Sequence, residues 1–268
     1  MLFIAYMLIS AAAAAVYGFA RLSGPAEIWK ALLLFPLLLL SLCVATLLFV
    51  CVVRLFVSSK PIKRQSPLCR YTLSVLADSA LLLLGIRMHI EGEKLLPAER
   101  FLMVSNHRSA YDPIVIMGSM GRHNISFVSK PSNLRIPVVG RIAYGAGYLP
   151  IDREDNRNAL KTILKAAEHI KEGFCSMGIY PEGTRSKDGK LLPFHHGSFK
   201  IAQRAGSPLV IACTRGGELV KKNFPFRKTD VYLDILEVIP AEKVSAMSTA
   251  DLSDYSEALI RQKLESAE

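Results

Sequence analysis

Two uncharged stretches open the chain. Residues 2–20 carry no charged side chain, and neither do residues 31–53. As a helix the first would reach about 28 Å, close to a hydrocarbon core of roughly 30 Å, and the second is longer. Pro36 falls in the first two turns of the second stretch, where it bends a helix more than it breaks it. The pattern predicts membrane-anchor helices within residues 1–65, with spans at about 2–20 and 31–53. For the first stretch, a signal peptide without a basic n-region, an interfacial helix, or a hairpin dipping into one leaflet are the alternatives.

Residues 66–85 have a different texture. Arg70, Ser74 and Asp78 recur every four residues and form one polar stripe, with Leu68, Val75, Leu76, Leu82 and Leu83 largely off it. This spacing predicts an amphipathic helix that lies in a membrane interface or packs under a domain, with Gly85 ending it.

From residue 86 short apolar runs alternate with helical periodicity. Arg87–Glu91, Phe101–Val104, Ile125–Ser129, Phe174–Tyr180, Ser207–Cys213 and Val231–Ile239 read as strands. Ile114–Met120, Asn156–Glu172, Ser198–Ala205 and a segment after Ser248 read as helices. Ser248 with Asp251 makes a capping box, and Asp112-Pro113 offers an N-cap followed by a proline at the first helical position. The expected fold class is α/β: a mostly parallel central sheet flanked by helices over residues 86–268, preceded by an N-terminal helical membrane anchor.

Charge adds an orientation. The formal net charge is +10. Arg54, Lys60, Lys63, Arg64 and Arg70 follow the second apolar stretch with no acid before Asp78, so the positive-inside rule directs residues 66–268 to the cytoplasmic face of the cell membrane. A basic, membrane-associated chain favours anionic lipids, phosphate-bearing substrates or acidic partner proteins. It reads without a nucleic-acid motif and without a basic patch interleaved with aromatics, so nucleic acid is not an expected partner. The cysteines, Cys43, Cys51, Cys69, Cys175 and Cys213, form no C-x-x-C pair, which argues against a disulfide framework or a thiolate metal site. His195-His196 has no acidic cluster beside it, and no metal is expected.

Chemistry concentrates where polar residues follow apolar runs: at Asn106–Pro113, Gly147–Arg153, Tyr180–Ser186 and Ser207–Ala212. In open parallel sheets, ligands bind beyond the carboxyl ends of the strands. Taken alone, His107 is either a structural histidine at a strand–helix junction or a base. Ser105 and Ser109 beside it lack a nucleophile-elbow pattern.

His107-Arg108-Ser109-Ala110-Tyr111-Asp112 resembles the H-x-x-x-x-D motif of the glycerolipid acyltransferases, in particular the 1-acyl-sn-glycerol-3-phosphate acyltransferase family. Pro181-Glu182-Gly183-Thr184-Arg185-Ser186 resembles its E-G-T-R block, and Ile151-Asp152-Arg153 its block ending in arginine. The resemblance spans about residues 86 to 215. It departs at Val210-Ile211-Ala212-Cys213, where the family usually carries a second proline.

The resemblance implies transfer of a fatty acyl group to the 2-hydroxyl of 1-acyl-glycerol-3-phosphate, giving phosphatidic acid. It implies acyl-CoA or acyl carrier protein as co-substrate, no further cofactor, and a membrane lysolipid as acceptor. His107 and Asp112 would be catalytic. Arg153, Glu182, Gly183, Thr184 and Arg185 would bind the phosphate and glycerol, with Lys130 and Asn106 in second rank. The chemistry is consistent: a hydroxyl is a poor nucleophile until a neutral histidine takes its proton, and a carboxylate fixes that histidine's tautomer. Arginines match phosphate geometry. Glu182 would orient Arg185 or bind the glycerol hydroxyl. The alternatives are another lysolipid acceptor or a non-catalytic lipid-binding membrane protein; a positioned base speaks against the latter.

Overall fold

The computed structural model describes residues 2–21, 25–55, 57, 65–186 and 189–267. The cations Lys60, Lys63 and Arg64, used in the orientation argument, lie outside the described residues. The chain divides into two compact units, residues 1–57 and 58–268.

In the first unit, helices α1 (Leu2–Arg21) and α2 (Pro25–Leu55) pack on each other, and the Tyr6 hydroxyl meets Thr46 Oγ1 at 2.6 Å. Among the described residues, the 22-residue stretch Leu32–Val53 is long and apolar enough to cross a membrane, and Ala5–Tyr17 forms a shorter apolar helix. Leu33, Leu37, Leu40, Leu47 and Leu48 of α2 are exposed within this unit. That is the surface a lipid-facing helix presents.

The second unit opens with α3 (Pro67–Leu83), capped by Ser66, whose hydroxyl accepts from the Cys69 N–H. One face of α3 is buried through Cys69, Leu73, Ala77 and Leu81, against α4 (Asp112–Ser119). Leu68, Tyr71, Leu82 and Leu83 remain exposed. The helix thus packs under the domain along one face and keeps an apolar face outside.

Seven strands follow: β1 (Ile86–Glu91), β2 (Leu102–Ser105), β3 (Ile125–Ser129), β4 (Leu149–Pro150), β5 (Ser176–Ile179), β6 (Leu209–Arg215) and β7 (Thr229–Ile239). They form one sheet in the order β1-β7-β6-β2-β5-β3-β4, parallel at every step except β6–β7. The exception has a local cause. The link between β6 and β7 holds only short helical turns and lacks the full helix that usually carries a parallel crossover. The central strands β2, β5 and β6 are buried along nearly their whole length, as parallel strands covered on both faces must be.

The further helices are α5 (Pro131–Leu134), α6 (Val139–Gly145), α7 (Asn156–Lys171), α8 (Lys200–Ala205) and α9 (Val220–Asn223) between strands, and α10 (Ala241–Ala246) and α11 (Thr249–Glu265) after β7. α7 buries Ile163, Ala166, Ala167 and Ile170, at helical spacing, into the core that also holds Leu252, Ile260 and Leu264 of α11. The Ser248–Asp251 capping box is present at the start of α11. Asp112 differs from expectation. Tyr111 is the N-cap of α4, without a side-chain bond, and Asp112 is its first residue; its carboxylate turns back to the preceding loop instead.

Candidate active site

Because β2 to β6 run parallel, their carboxyl ends share one side of the sheet. His107 follows β2, Lys130 follows β3, Arg153 follows β4, Tyr180 to Arg185 follow β5, and Gly216-Gly217 follow β6. Residues far apart in sequence therefore converge by topology.

The His107 ring is held at one nitrogen and on one face. Its Nδ1 lies 2.9 Å from Asp112 Oδ2. That same oxygen accepts the N–H groups of Arg108 at 3.0 Å and Ser109 at 2.7 Å, which closes the five-residue turn. One face of the imidazole stacks on Tyr180, with centroids 4.2 Å apart and planes 14° from parallel. Tyr180 in turn stacks on Phe127 at 5.6 Å. Among the described residues His107 Nε2 has no partner, and the ring retains an exposed edge while Asp112 is buried. With an ionised Asp112 accepting from Nδ1–H, the unshared pair of Nε2 faces outward, as a general base requires.

Glu182 has a use that neither sequence-based role anticipated. It is buried, and its carboxylate accepts the backbone N–H of His107 and, at 2.9 Å, that of Leu192. The Ser186 N–H returns a bond of 3.0 Å to the His107 carbonyl. Glu182 thus fastens the loop after β5 to the histidine turn and has no open face for substrate. Burial pushes its carboxyl up to about 7, against the lowering effect of the two N–H groups.

The neighbours of Glu182 face out. Thr184 and Arg185 are exposed, and Arg185 has no ion-pair partner among the described residues. Gly183 has φ +73, a conformation that favours glycine, and a Cβ there would press on the exposed His195 ring at 2.9 Å. Arg153 is exposed as a side chain. Its surroundings desolvate the guanidinium enough to lower its pKa, but solvent still reaches it and it stays cationic. Arg153, Tyr180, Gly183, His195 and Lys200 rim a groove of about 680 Å³, and Ile151, Leu160, Ile163, Ile179 and Phe194 make its apolar wall. Cations over an apolar wall suit an amphiphile with an anionic head.

The remaining candidates separate. Lys130 is exposed at the end of β3, at the start of α5. Asn106 is fully buried: its amide donates to the Thr214 carbonyl at 2.9 Å and accepts the Thr214 N–H at 2.8 Å, clamping β2 to β6. Ser109 Oγ donates to the Gly217 carbonyl at 2.8 Å, which fits no nucleophilic role. The Ser207–Ala212 segment begins β6 at the end of the sheet remote from His107, and Val210–Cys213 is core. The end of β6 that does reach the site is Thr214–Gly217. A Cβ at Gly217 would lie 2.9 Å from Asp112 Oδ1. Tyr180 and Gly217 were not assigned roles from sequence. For Tyr180 the signal was an aromatic residue directly before the Pro181-Glu182-Gly183-Thr184-Arg185 run.

The Acyltransferase family profile matches residues 87–214. The 1-acyl-sn-glycerol-3-phosphate acyltransferase of Salmonella typhimurium is 30% identical over 183 residues, which cover 66% of this chain and 73% of that protein. The yeast enzyme of the same name is 29% identical over 168 residues, covering 61% of this chain and 55% of its own. The crystal structure of the 1-acyl-sn-glycerophosphate acyltransferase from Thermotoga maritima matches with a TM-score of 0.62 and 25% identity over 82% of this chain and 87% of that one. Sequence identity over most of the bacterial relative and the shared fold place it: the chain belongs to the 1-acyl-sn-glycerol-3-phosphate acyltransferase family.

Proposed function

We propose that the protein moves a fatty acyl group from a thioester, acyl-CoA or acyl carrier protein, to the 2-hydroxyl of 1-acyl-glycerol-3-phosphate, giving phosphatidic acid. The observation that carries this reading is the His107–Asp112 pair, with Nε2 open among the described residues, on the same sheet end as the exposed Arg185. Nε2 takes the hydroxyl proton as the oxygen attacks the thioester carbonyl. Asp112 holds Nδ1–H and stabilises the imidazolium. Collapse of the tetrahedral intermediate breaks the C–S bond, and the imidazolium returns its proton to the departing thiolate. No covalent enzyme intermediate is needed, because the thioester is already activated. General base catalysis of this kind contributes about 10² to 10⁴-fold.

Arg153 and Arg185 hold the acceptor's phosphate with forked donors, Thr184 adds a hydroxyl, Gly183 allows close backbone approach, and Lys130 supplies more distant positive charge. Glu182 and Tyr180 act on the substrate only through His107. The apolar stretch Leu32–Val53 anchors the protein in the cell membrane, and the basic residues after it favour a catalytic unit on the cytoplasmic side, where a long-chain lysolipid is already partitioned.

The test is turnover. Purified full-length protein with oleoyl-CoA or oleoyl-carrier protein and a panel of lysolipids should give phosphatidic acid from lysophosphatidic acid in preference to other products. His107→Ala should abolish turnover while leaving the circular dichroism spectrum intact. No product with either donor would overturn the reading, and product chiefly from another lysolipid would reassign the acceptor.

A further inference from the structure

The link after β6 holds an aromatic side chain that the catalytic chemistry does not use. Phe226 is 93% exposed, and Phe224 and Leu219 are exposed beside it. Lys221, Lys222, Arg227 and Lys228 surround them, all exposed, with no acid between residues 219 and 228. In this short run two phenylalanines interleave with four cations, so the expectation of no basic patch interleaved with aromatics does not hold here. Single exposed apolar residues are ordinary, but a fully presented aromatic ring in a cationic setting is not.

The tip is built. Val220 is fully buried with Leu81, Ile86, Val115 and Val231, which roots the link in the core. The Arg227 N–H donates to the Asn223 carbonyl at 2.8 Å, and Asn223 Nδ2 donates to Thr229 Oγ1 at 3.0 Å, closing the loop behind the two rings. Its base is joined to the catalytic turn, since Gly217 accepts the Ser109 hydroxyl at 2.8 Å and bounds Asp112. The tip therefore leaves the same end of the sheet at which His107 opens.

We propose that residues 219–228 form an interfacial contact with an anionic phospholipid bilayer. Phe226 and Phe224 enter the boundary between headgroups and acyl chains, and Lys221, Lys222, Arg227 and Lys228 meet the lipid phosphates. Rings with no hydrogen-bonding group, flanked by cations, match the two layers of that boundary. Each cation near such a surface strengthens partitioning by about fivefold. The contact would present the His107 site to membrane-resident acceptor, and for that purpose it rests on the acyltransferase reading. It is a contact of the catalytic unit itself, additional to helix α2.

The protein holds one tryptophan, Trp29, so the double variant W29F/F226W reports from the tip alone. Reconstituted as full-length protein in phosphatidylglycerol–phosphatidylcholine vesicles, it should show blue-shifted emission, with quenching by chain-brominated lipids. Both should weaken in pure phosphatidylcholine. Water-like emission, quenched only by aqueous acrylamide in both vesicle types, would overturn the proposal. So would a blue shift that appears only when an acidic carrier protein is added. These readouts need no turnover, so their failure is distinct from failure of the acyltransferase reading. In activity assays Phe226→Ser should raise the KM for vesicle-borne acceptor about tenfold or more. Its kcat on a short-chain, water-soluble acceptor should be unchanged. Equal loss on both acceptors would instead tie Phe226 to folding or catalysis and overturn the interfacial role.

Discussion

Oδ2 of Asp112 accepts from Nδ1 of His107 at 2.9 Å while also holding the Arg108 and Ser109 N–H groups. The three donors do not compete for different geometries. The two backbone bonds fix the carboxylate before substrate arrives, and the histidine is then oriented by an acceptor that is itself held. Fixed polar groups of this kind need little reorganisation during reaction.

That arrangement separates two roles by substitution. In Asp112→Asn the amide oxygen can still serve the turn, but the negative charge that stabilises the imidazolium is gone. The kcat should fall by about 10² to 10⁴-fold with little change in melting temperature. Asp112→Ala removes the acceptor for all three donors and should lower the melting temperature as well. Single-turnover kinetics alongside thermal melts would check this, and an Asn variant within threefold of wild type would strip Asp112 of its electrostatic part.

Tyr180 supports the histidine through its ring, not its hydroxyl. The hydroxyl is buried with no hydrogen-bond partner among the described residues, and burial keeps its pKa well above the ordinary tyrosine value, so it stays neutral. Tyr180→Phe should therefore retain activity within a few-fold and be neutral or slightly stabilising, because it deletes an unsatisfied polar group. Tyr180→Ala removes the stack between His107 and Phe127 and should cost about 3–5 kcal/mol, with a lower kcat from a loosened imidazole. A Phe variant as impaired as the Ala variant would assign a chemical role to the hydroxyl.

The sequence carried the His107–Asp112 spacing and the Glu182–Arg185 run because each is local: a turn and a strand end can be read from neighbouring residues. Six strands of the α/β unit were legible for the same reason, through apolar runs between helical patterns, while the two-residue β4 was too short to leave such a run. What was not legible depends on which loops meet. Glu182 reaches the His107 N–H only because β2 and β5 are adjacent and parallel, which no window of residues around either one encodes. Gly217 bounds Asp112 because β6 lies on the other side of β2. The antiparallel β7 was visible as an alternating strand, but its direction was not; the link that precedes it carries no full crossover helix. The role first given to Asp112, a helix cap, failed because the turn offers its carboxylate an imidazole N–H and two backbone N–H groups on a single oxygen.

Glu182 makes stability depend on pH in a definite direction. Its folded value of about 7 lies above the ordinary 4.5. Between those values the folded chain keeps a proton that the unfolded chain has released. Its stabilising contribution is thus full below pH 4.5 and is lost as pH rises through 7, about 3 kcal/mol over the window. Glu182→Gln abolishes the titration. It also points an amide NH₂ at one of the two N–H groups, at a cost of about 1–3 kcal/mol. Melting temperatures of the two proteins in detergent should differ most near pH 5 and converge toward pH 8. A gap independent of pH would mean that Glu182 does not titrate in this range.

Arg185 and Arg153 should be separable from the histidine by their kinetic signature. Arg185 is exposed and unpaired among the described residues, so truncating it leaves no buried charge behind and should not disturb folding. A charge-assisted bond from a guanidinium to phosphate is worth about 1.5–3 kcal/mol, so Arg185→Ala should raise the acceptor KM about 10- to 100-fold. Arg185→Lys should recover only part of this, since an ammonium cannot make the forked contact. Arg153 rims the groove, and the double variant should be less than additive if both arginines bind one phosphate group. Donor KM and the pH dependence of kcat should stay as in the wild type, because the His107–Asp112 pair is untouched. A rise in donor KM with unchanged acceptor KM would move Arg185 from the lysolipid to the thioester.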